Sequence, residues 1–357
     1  MPEFLENITD CWQRMKADEK PLFLYGMGNG ADKIIKVMEH YGISLAGVFA
    51  SDEFVRGHSF AGHIVHKLSE LEETVKDFSV VLGFGAGYQS LYDKISELAK
   101  RHTVYIPDVP LFGDGLFTRD YCRKHKSEIL EVRSMLADDI SVNVFENIIK
   151  FKVSGDMKFA DLATTPKSEV YENIIRPCEN DVYVDLGGYN GDTIKEILEC
   201  SPVKKIFAVE PDRRNFRKLV KYAETLPENL ITTENCIAWS ENTTLYFSKN
   251  SGRQSTIVAE SENGNPVTAR AIDTFEIPAT IIKTDVEGAE KEALKGLEKT
   301  IANYSPKLMI SVYHRNEDMF ALPLQIHSIN PRYKYYMRHQ LYVPAWETNL
   351  YAVPENF

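Results

Sequence analysis

The stretch Val182-Tyr183-Val184-Asp185-Leu186-Gly187-Gly188-Tyr189-Asn190-Gly191-Asp192-Thr193 decides the fold. Its first five residues read as a buried strand, the glycines as a turn, and Asp192-Thr193 as the opening of a helix. Open α/β sheets bind ligands at this place, outside the carboxyl ends of their strands. Glycines let the backbone approach a ligand closely. Asp185, however, stands where a dinucleotide fold cradles a pyrophosphate, and a carboxylate repels phosphate. The expected ligand is cationic or neutral at that point.

Working outward, Ile206-Phe207-Ala208-Val209-Glu210, Ile231 to Asn235, Ile281-Ile282-Lys283-Thr284-Asp285 and Leu308-Met309-Ile310-Ser311-Val312 continue the strand series, with helical patterns between most of them. Tyr333 to Arg338 and Asn349 to Val353 are joined by too few residues for a crossover helix, so they are expected to close the sheet as an antiparallel pair. A second alternating series lies upstream. Leu22 to Tyr25 is followed by Gly26-Met27-Gly28-Asn29-Gly30 and a helical face of Ile34, Met38 and Tyr41; Leu45 to Phe49, Val80 to Leu82 and Thr103 to Ile106 read as further strands. The chain is therefore read as α/β with two doubly wound domains. The expected division is a Rossmann-like domain over 1–110, a helical connector over 111–170, with helices near 126–136 and 142–151, and a ligand-binding domain over 171–357.

The 357 residues, 43% hydrophobic, suffice for two cores, and the net charge of −11 argues against a surface built to follow nucleic acid. No basic, apolar leader and no membrane-length run is evident, so a chain without membrane contact, in the cytoplasm, is expected. The five cysteines lack a Cys-x-x-Cys pair, which suits reduced thiols; Cys200 and Cys236 are expected to be small buried hydrophobes.

S-adenosylmethionine, with an ammonium, a sulfonium and no phosphate, meets the charge requirement set by Asp185. Glu210 ends the next strand, where an acid accepts hydrogen bonds from ribose hydroxyls, with Pro211 beside it. Gly187, Gly188, Tyr189, Asn190, Gly191, Asp192 and Thr193, together with Asp285, are expected to line the same ligand, and Ile237 and Ala238 to wall the adenine. Three later segments carry a resemblance: Ile282 through Glu290, with Leu294 and Gly296; Ser311-Val312-Tyr313-His314-Arg315 leading to Leu322-Pro323 and Ile326; and Arg338-His339 with Glu347 through Pro354. Together with the glycine turn they resemble the FkbM-type methyltransferase family over roughly residues 160–357. The resemblance implies a class I methyltransferase fold, S-adenosylmethionine as cofactor, and O-methylation of a saccharide, nucleotide-sugar or related natural-product hydroxyl.

An aliphatic hydroxyl is a poor nucleophile at neutral pH, so methyl transfer to it needs a base or metal beside the oxygen. Asp285 and Glu287 follow one strand and His314 the next, facing a common crevice; His314, with an ordinary value near working pH, is the first choice of base. Glu290 is read as a first-turn acid favoured by the helix dipole. Asp285, Glu287 and His314 could together ligate a divalent ion, but no metal is expected. The turn after the fourth strand, Asp285-Val286-Glu287-Gly288, lacks the Asn/Asp-Pro-Pro-aromatic pattern that holds a planar nitrogen, so oxygen is favoured as acceptor.

Upstream, the Gly26, Gly28 and Gly30 turn has no acid at its strand end and suits a phosphate, with Asp52 in reach of a ribose. A nucleotide or nucleotide-sugar there is one expectation, a structural or gating role the other. His58, His63 and His66 read as loop histidines. The competing functions are a dinucleotide-dependent oxidoreductase centred on this turn, for which no catalytic Tyr-Lys pair is found, and a binding protein that holds S-adenosylmethionine without turnover. The acceptor is expected to be chosen by the connector and by loops such as 251–265, and homo-oligomerisation stays open.

Overall fold

Apolar runs become strands wherever the sequence alternates them with amphipathic helices. The computed structural model describes residues 1–247, 257–258 and 265–355. In the N-terminal part, β1 (Leu22–Tyr25), β2 (Gly47–Ala50), β3 (Ser59–Phe60), β4 (His63–Lys67), β5 (Ser79–Leu82) and β6 (Thr103–Tyr105) form one sheet in the order β3-β4-β2-β1-β5-β6. All neighbours are parallel except the short β3–β4 hairpin. The strand β4 departs from the loop reading of His63 and His66. Only Val65 on it is buried, so its polar flanks gave no apolar signal.

Helices at Lys126–Met135 and Asp139–Ser154 follow. The second is capped by the Asp138 side chain, which accepts from the Ser141 N–H, and it ends at Gly155 in the left-handed conformation. It is not a linker. Val144, Phe145, Ile148, Ile149 and Phe151 have no exposed surface, and one apolar cluster runs from Val80 and Leu82 of β5 through this helix to Val184 and Leu350 of the C-terminal sheet. A helix buried on most sides needs apolar neighbours around it, and here two sheets supply them.

The C-terminal sheet consists of β7 (Val182–Leu186), β8 (Lys205–Val209), β9 (Ile231–Glu234), β14 (Ile281–Thr284), β15 (Lys307–Ser311), β16 (Tyr333–His339) and β17 (Thr348–Pro354), in the order β16-β17-β15-β14-β7-β8-β9. β17 runs antiparallel to both β15 and β16, as the short connection required. Between β9 and β14 lies an element the sequence reading did not foresee: a small sheet of β10 (Ile237–Ala238), β11 (Thr243–Phe247), β12 (Ile257–Val258) and β13 (Asn265–Arg270), ordered β10-β13-β11-β12. The half-exposed, polar β13 lacks the buried face that makes a strand legible. Most of the 251–265 loop singled out for acceptor choice lies outside the described residues. All five cysteines are free; Cys236 is buried as expected, whereas Cys200, at a helix end, is exposed.

Arg338 is the largest fully buried side chain. It donates from Nε to Glu169 (2.7 Å), from Nη2 to Asp138 (2.8 Å) and from Nη1 to the Ser141 hydroxyl (2.8 Å), tying β16 to the cap of the central helix. Removing one member of such a buried network leaves the others uncompensated. Arg338→Ala is expected to lower unfolding free energy by about 3 kcal/mol, measured by urea denaturation; a change near zero would show that the network adds nothing to stability.

Candidate functional site

The glycine turn after β7 is shaped by close approaches. Gly187 has φ +86°, and a Cβ there would lie 1.8 Å from the Asp285 carbonyl oxygen; at Gly191 a Cβ would lie 2.3 Å from the Tyr222 ring. Only glycine permits both. The Gly187 and Gly188 N–H groups donate to the Val209 carbonyl, which clamps the turn onto β8 before the helix Asp192–Cys200 begins. Tyr189 is a non-glycine at φ +44° with 42% of its surface exposed, a strained backbone presenting a ring to solvent.

Asp185 has no exposed surface and lies beneath the turn. One oxygen accepts from the Thr193 hydroxyl (2.8 Å), and the other is 3.2 Å from the ammonium of Lys283, which also donates to the Gly187 carbonyl (2.8 Å). The register places Lys283 directly across from Asp185. This changes the electrostatic expectation: the Asp185 charge is met by a lysine, so its repulsion of phosphate is muted and its evident work is to hold the turn. Burial raises the Asp185 carboxyl while Lys283 and Thr193 draw it back; on Lys283 burial works downward but is outweighed by Asp185, which raises it.

Glu210, 6% exposed, accepts the Tyr189 N–H on one oxygen (2.9 Å) and the Asp212 N–H on the other (2.8 Å). Burial pushes its carboxyl up to about 7. Pro211 is fixed beside it by Asn235, whose Nδ2 donates to the Glu210 and Pro211 carbonyls. Ile237 and Ala238 are both buried, on β10. Asn190 and Asp192 lie in the turn and first helical position as expected.

The second group is gathered at the carboxyl ends of β14 and β15. His314 is 1% exposed. Its Nδ1 lies 2.9 Å from Glu290 Oε1, and its Nε2 lies 3.5 Å from Asp285 and 3.6 Å from Glu287. The Tyr313 hydroxyl donates to Asp285 at 3.4 Å. Burial would lower the imidazole, but Glu290, then Asp285 and Glu287, overcome it and push His314 up to about 10. His314, expected as the general base, is thus ringed by carboxylates that favour its charged form. Glu290 opens the helix Glu290–Lys295, as expected, accepting from the Val286 N–H; it is also 1% exposed and the carboxylate nearest to His314. Glu287 sits at φ +54°, a second strained residue within the site.

The N-terminal part reaches this cluster, which the sequence did not announce. The Phe112 N–H donates to the His314 carbonyl, and the Phe112 ring fills the space beside Gly288, where a Cβ would lie 2.8 Å from it. Lys33 holds the Pro110 and Leu111 carbonyls at 3.0 Å, and Asn316 donates to the Gly115 carbonyl. Ala86 and Val343 exchange backbone hydrogen bonds, with Tyr342 lying against Gly85 and Gly87. The upstream turn itself is partly taken up by protein. A Cβ on Gly26 would meet the Phe84 ring at 2.3 Å and one on Gly30 the Gly83 carbonyl at 3.0 Å, while Gly28 faces open space. Both Asp52 oxygens accept from Ser69, at the start of the helix Leu68–Thr74, so its carboxylate is already engaged within the protein.

Residues 185–342 match the methyltransferase FkbM domain. The crystal structure of methyltransferase FkbM from Methylobacillus flagellatus KT shares the fold, with a TM-score of 0.72 and 21% identity over 98% of this chain and 92% of that one. A methyltransferase from Streptococcus mutans in complex with SAH aligns more distantly, at a TM-score of 0.34 and 11% identity over 54% of this chain and 93% of that one. No curated protein matches the chain. The C-terminal half thus carries a match to the FkbM methyltransferase domain, and the two doubly wound units share the fold of that crystal structure. Among the described residues, no helix is long and apolar enough to cross a membrane.

Glu210 provides a test of the site's electrostatics. Its folded value lies above the ordinary 4.5, so the folded protein holds this proton more tightly, and the resulting stability is lost as pH rises towards about 7. The protein without ligand is expected to gain from Glu210→Gln at pH 8 but not at pH 4, read from paired urea unfolding curves; equal differences at both pH values would contradict a raised carboxyl.

Proposed function

We propose that the chain transfers a methyl group from S-adenosylmethionine to a hydroxyl oxygen of a saccharide, nucleotide-sugar or related natural product. The observation that carries this reading is the contact between two chemistries. The glycine turn that would hold the methyl donor is pressed against the backbone of Asp285, so a carboxylate–imidazole cluster stands immediately beside it.

The residues fit the donor. The turn from Gly187 to Thr193, Pro211, Ile237 and Ala238 would surround it, with Asp185 and Lys283 fixing the turn from below. Each Glu210 oxygen accepts one backbone N–H and keeps a lone pair for a ribose hydroxyl. Bound S-adenosylmethionine supplies an activated methyl on a sulfonium; the chain supplies position and charge. Asp285 and Glu287 are the proton acceptors at the crevice, and the charged His314, anchored by Glu290, holds them in place. A hydroxyl, whose proton must leave as the new bond forms, makes use of such carboxylates.

A saccharide is favoured by what borders the cluster. The half-buried rings of Tyr342 and Trp346 lie tilted against each other, centroids 5.2 Å apart, beside Glu347, whose carboxyl is raised first by burial and then by Asp285. Aromatic faces beside carboxylates suit polyhydroxylated rings, which offer apolar faces and hydroxyl rims. Division of the chain into 1–110, 111–170 and 171–357 is part of this reading, the first part closing over the acceptor. The free thiols suit a cytoplasmic enzyme.

Titration calorimetry with S-adenosylhomocysteine is expected to give micromolar binding, weakened about tenfold or more by Glu210→Ala, which removes charge-assisted hydrogen bonds. Asp285→Asn should leave that affinity nearly unchanged yet lower turnover about 100-fold, the loss expected when a positioned proton acceptor is removed. Turnover is read as S-adenosylhomocysteine released over a panel of hydroxylated acceptors. Binding of NAD alone, with neither substitution altering it, would refute the proposal.

A further inference from the structure

The geometry around His314 points to a divalent cation site formed by Asp285, Glu287 and His314, with Glu290 orienting the imidazole. The inference uses the same crevice as the methyl-transfer reading but does not rest on its chemistry, since ion binding is measured directly.

Three observations carry it. His314 is 1% exposed, and its Nε2 points between carboxylate oxygens of Asp285 and Glu287 at 3.5 and 3.6 Å. These distances are too long for good hydrogen bonds. They suit two donors sharing an ion, because ligands bound at about 2.0–2.2 Å in tetrahedral or octahedral array lie roughly 3.0–3.6 Å from each other. On the other side of the ring, Nδ1 is 2.9 Å from the buried Glu290 carboxylate. A metal-binding histidine almost always donates its second N–H to such a group, which fixes the tautomer and aims the other nitrogen's lone pair at the metal. Third, donor atoms of Asp285, Glu290 and His314 all lie within 4.8 Å of one another, so Asp285 and the imidazole are close enough to share an ion while Glu290 stays close enough to orient the ring; Glu287 joins them through its 3.6 Å approach to His314 Nε2.

Charge leads the same way. Three carboxylates surround one buried imidazole, Glu290 from the interior and Asp285 and Glu287 from the solvent-facing side, and negative charge concentrated in this way attracts a cation. The neighbouring Arg315 directs its Nε to the Gly288 carbonyl, and Lys283 pairs with Asp185. The imidazole proton and a dication are thus alternative occupants of one charge balance. One nitrogen and two carboxylate oxygens favour Mn2+, Fe2+, Co2+ or Zn2+ over the harder Ca2+. A hydroxyl coordinated to such an ion would be more acidic than one in water.

The probe is Mn2+, added to the full chain after treatment with a chelator and followed by loss of the free-ion electron paramagnetic resonance signal. One site per chain at micromolar strength is expected. Asp285→Asn, Glu287→Gln and His314→Gln should each weaken binding about tenfold or more, and Glu290→Gln, which acts through His314, about 10-fold to 100-fold. S-adenosylhomocysteine binding in each variant verifies that it is folded. Co2+ in place of Mn2+ should give visible absorption bands that change in His314→Gln. No Mn2+ binding at millimolar concentration, or equal binding in all variants, would overturn the site in favour of the imidazolium cluster alone. Methyl transfer that persists undiminished in chelator while Mn2+ fails to bind would remove this inference and leave the proposed function standing. Mn2+ binding without any methyl transfer would do the reverse.

Discussion

A lysine inside a β-sheet governs the C-terminal half. Lys283 lies opposite Asp185 in register, and its ammonium also binds the Gly187 carbonyl, so one cation joins the fourth strand, the first strand and the glycine turn. Its Coulombic and hydrogen-bond gains must offset the desolvation of two charges, a balance that demands good geometry. That demand transmits order upward. With Gly187 held low, its Cα can rest against the Asp285 carbonyl, and the turn that ends β7 becomes continuous with the turn that ends β14. Glycine turn and acid cluster are therefore parts of one continuous construction.

The cluster around His314 illustrates how environment reassigns a residue. An imidazole in water titrates near neutrality and makes a natural base, whereas one enclosed by Glu290, Asp285 and Glu287 is a cation or a ligand. The carboxylates hold its charge and it holds their positions. Strained backbone at Tyr189 and Glu287, each within a few residues of a cluster member or the glycine turn, belongs to the same economy of position.

Much of this was legible from local pattern. The apolar run of Val182 to Leu186, its glycines and Glu210 announced strand, turn and terminal acid, and the short link before Asn349 announced an antiparallel close. What stayed hidden depends on partners distant in sequence. Lys283 looked like one polar residue in an apolar strand until Asp185 was set across from it. Arg338 meets Asp138 from 200 positions away, and no periodicity encodes that. The small inserted sheet and β4 were missed because their strands bury few side chains. Glu290 was assigned to its own helix, since a first-turn acid satisfies a local rule well enough to conceal a tertiary partner. Phe112 could not be placed because the reason for it, the bare Cα of Gly288, lies in the other sheet's territory.

The helix Asp139–Ser154 has a consequence for how such a protein can change over time. Its apolar sides are shared by both sheets, and the backbone exchange between Ala86 and Val343 fastens the same two sheets at their rims. Neither sheet could be traded for an unrelated unit without exposing the helix faces it now covers. The two halves are consequently bound to be inherited together, because the seam they share resists recombination.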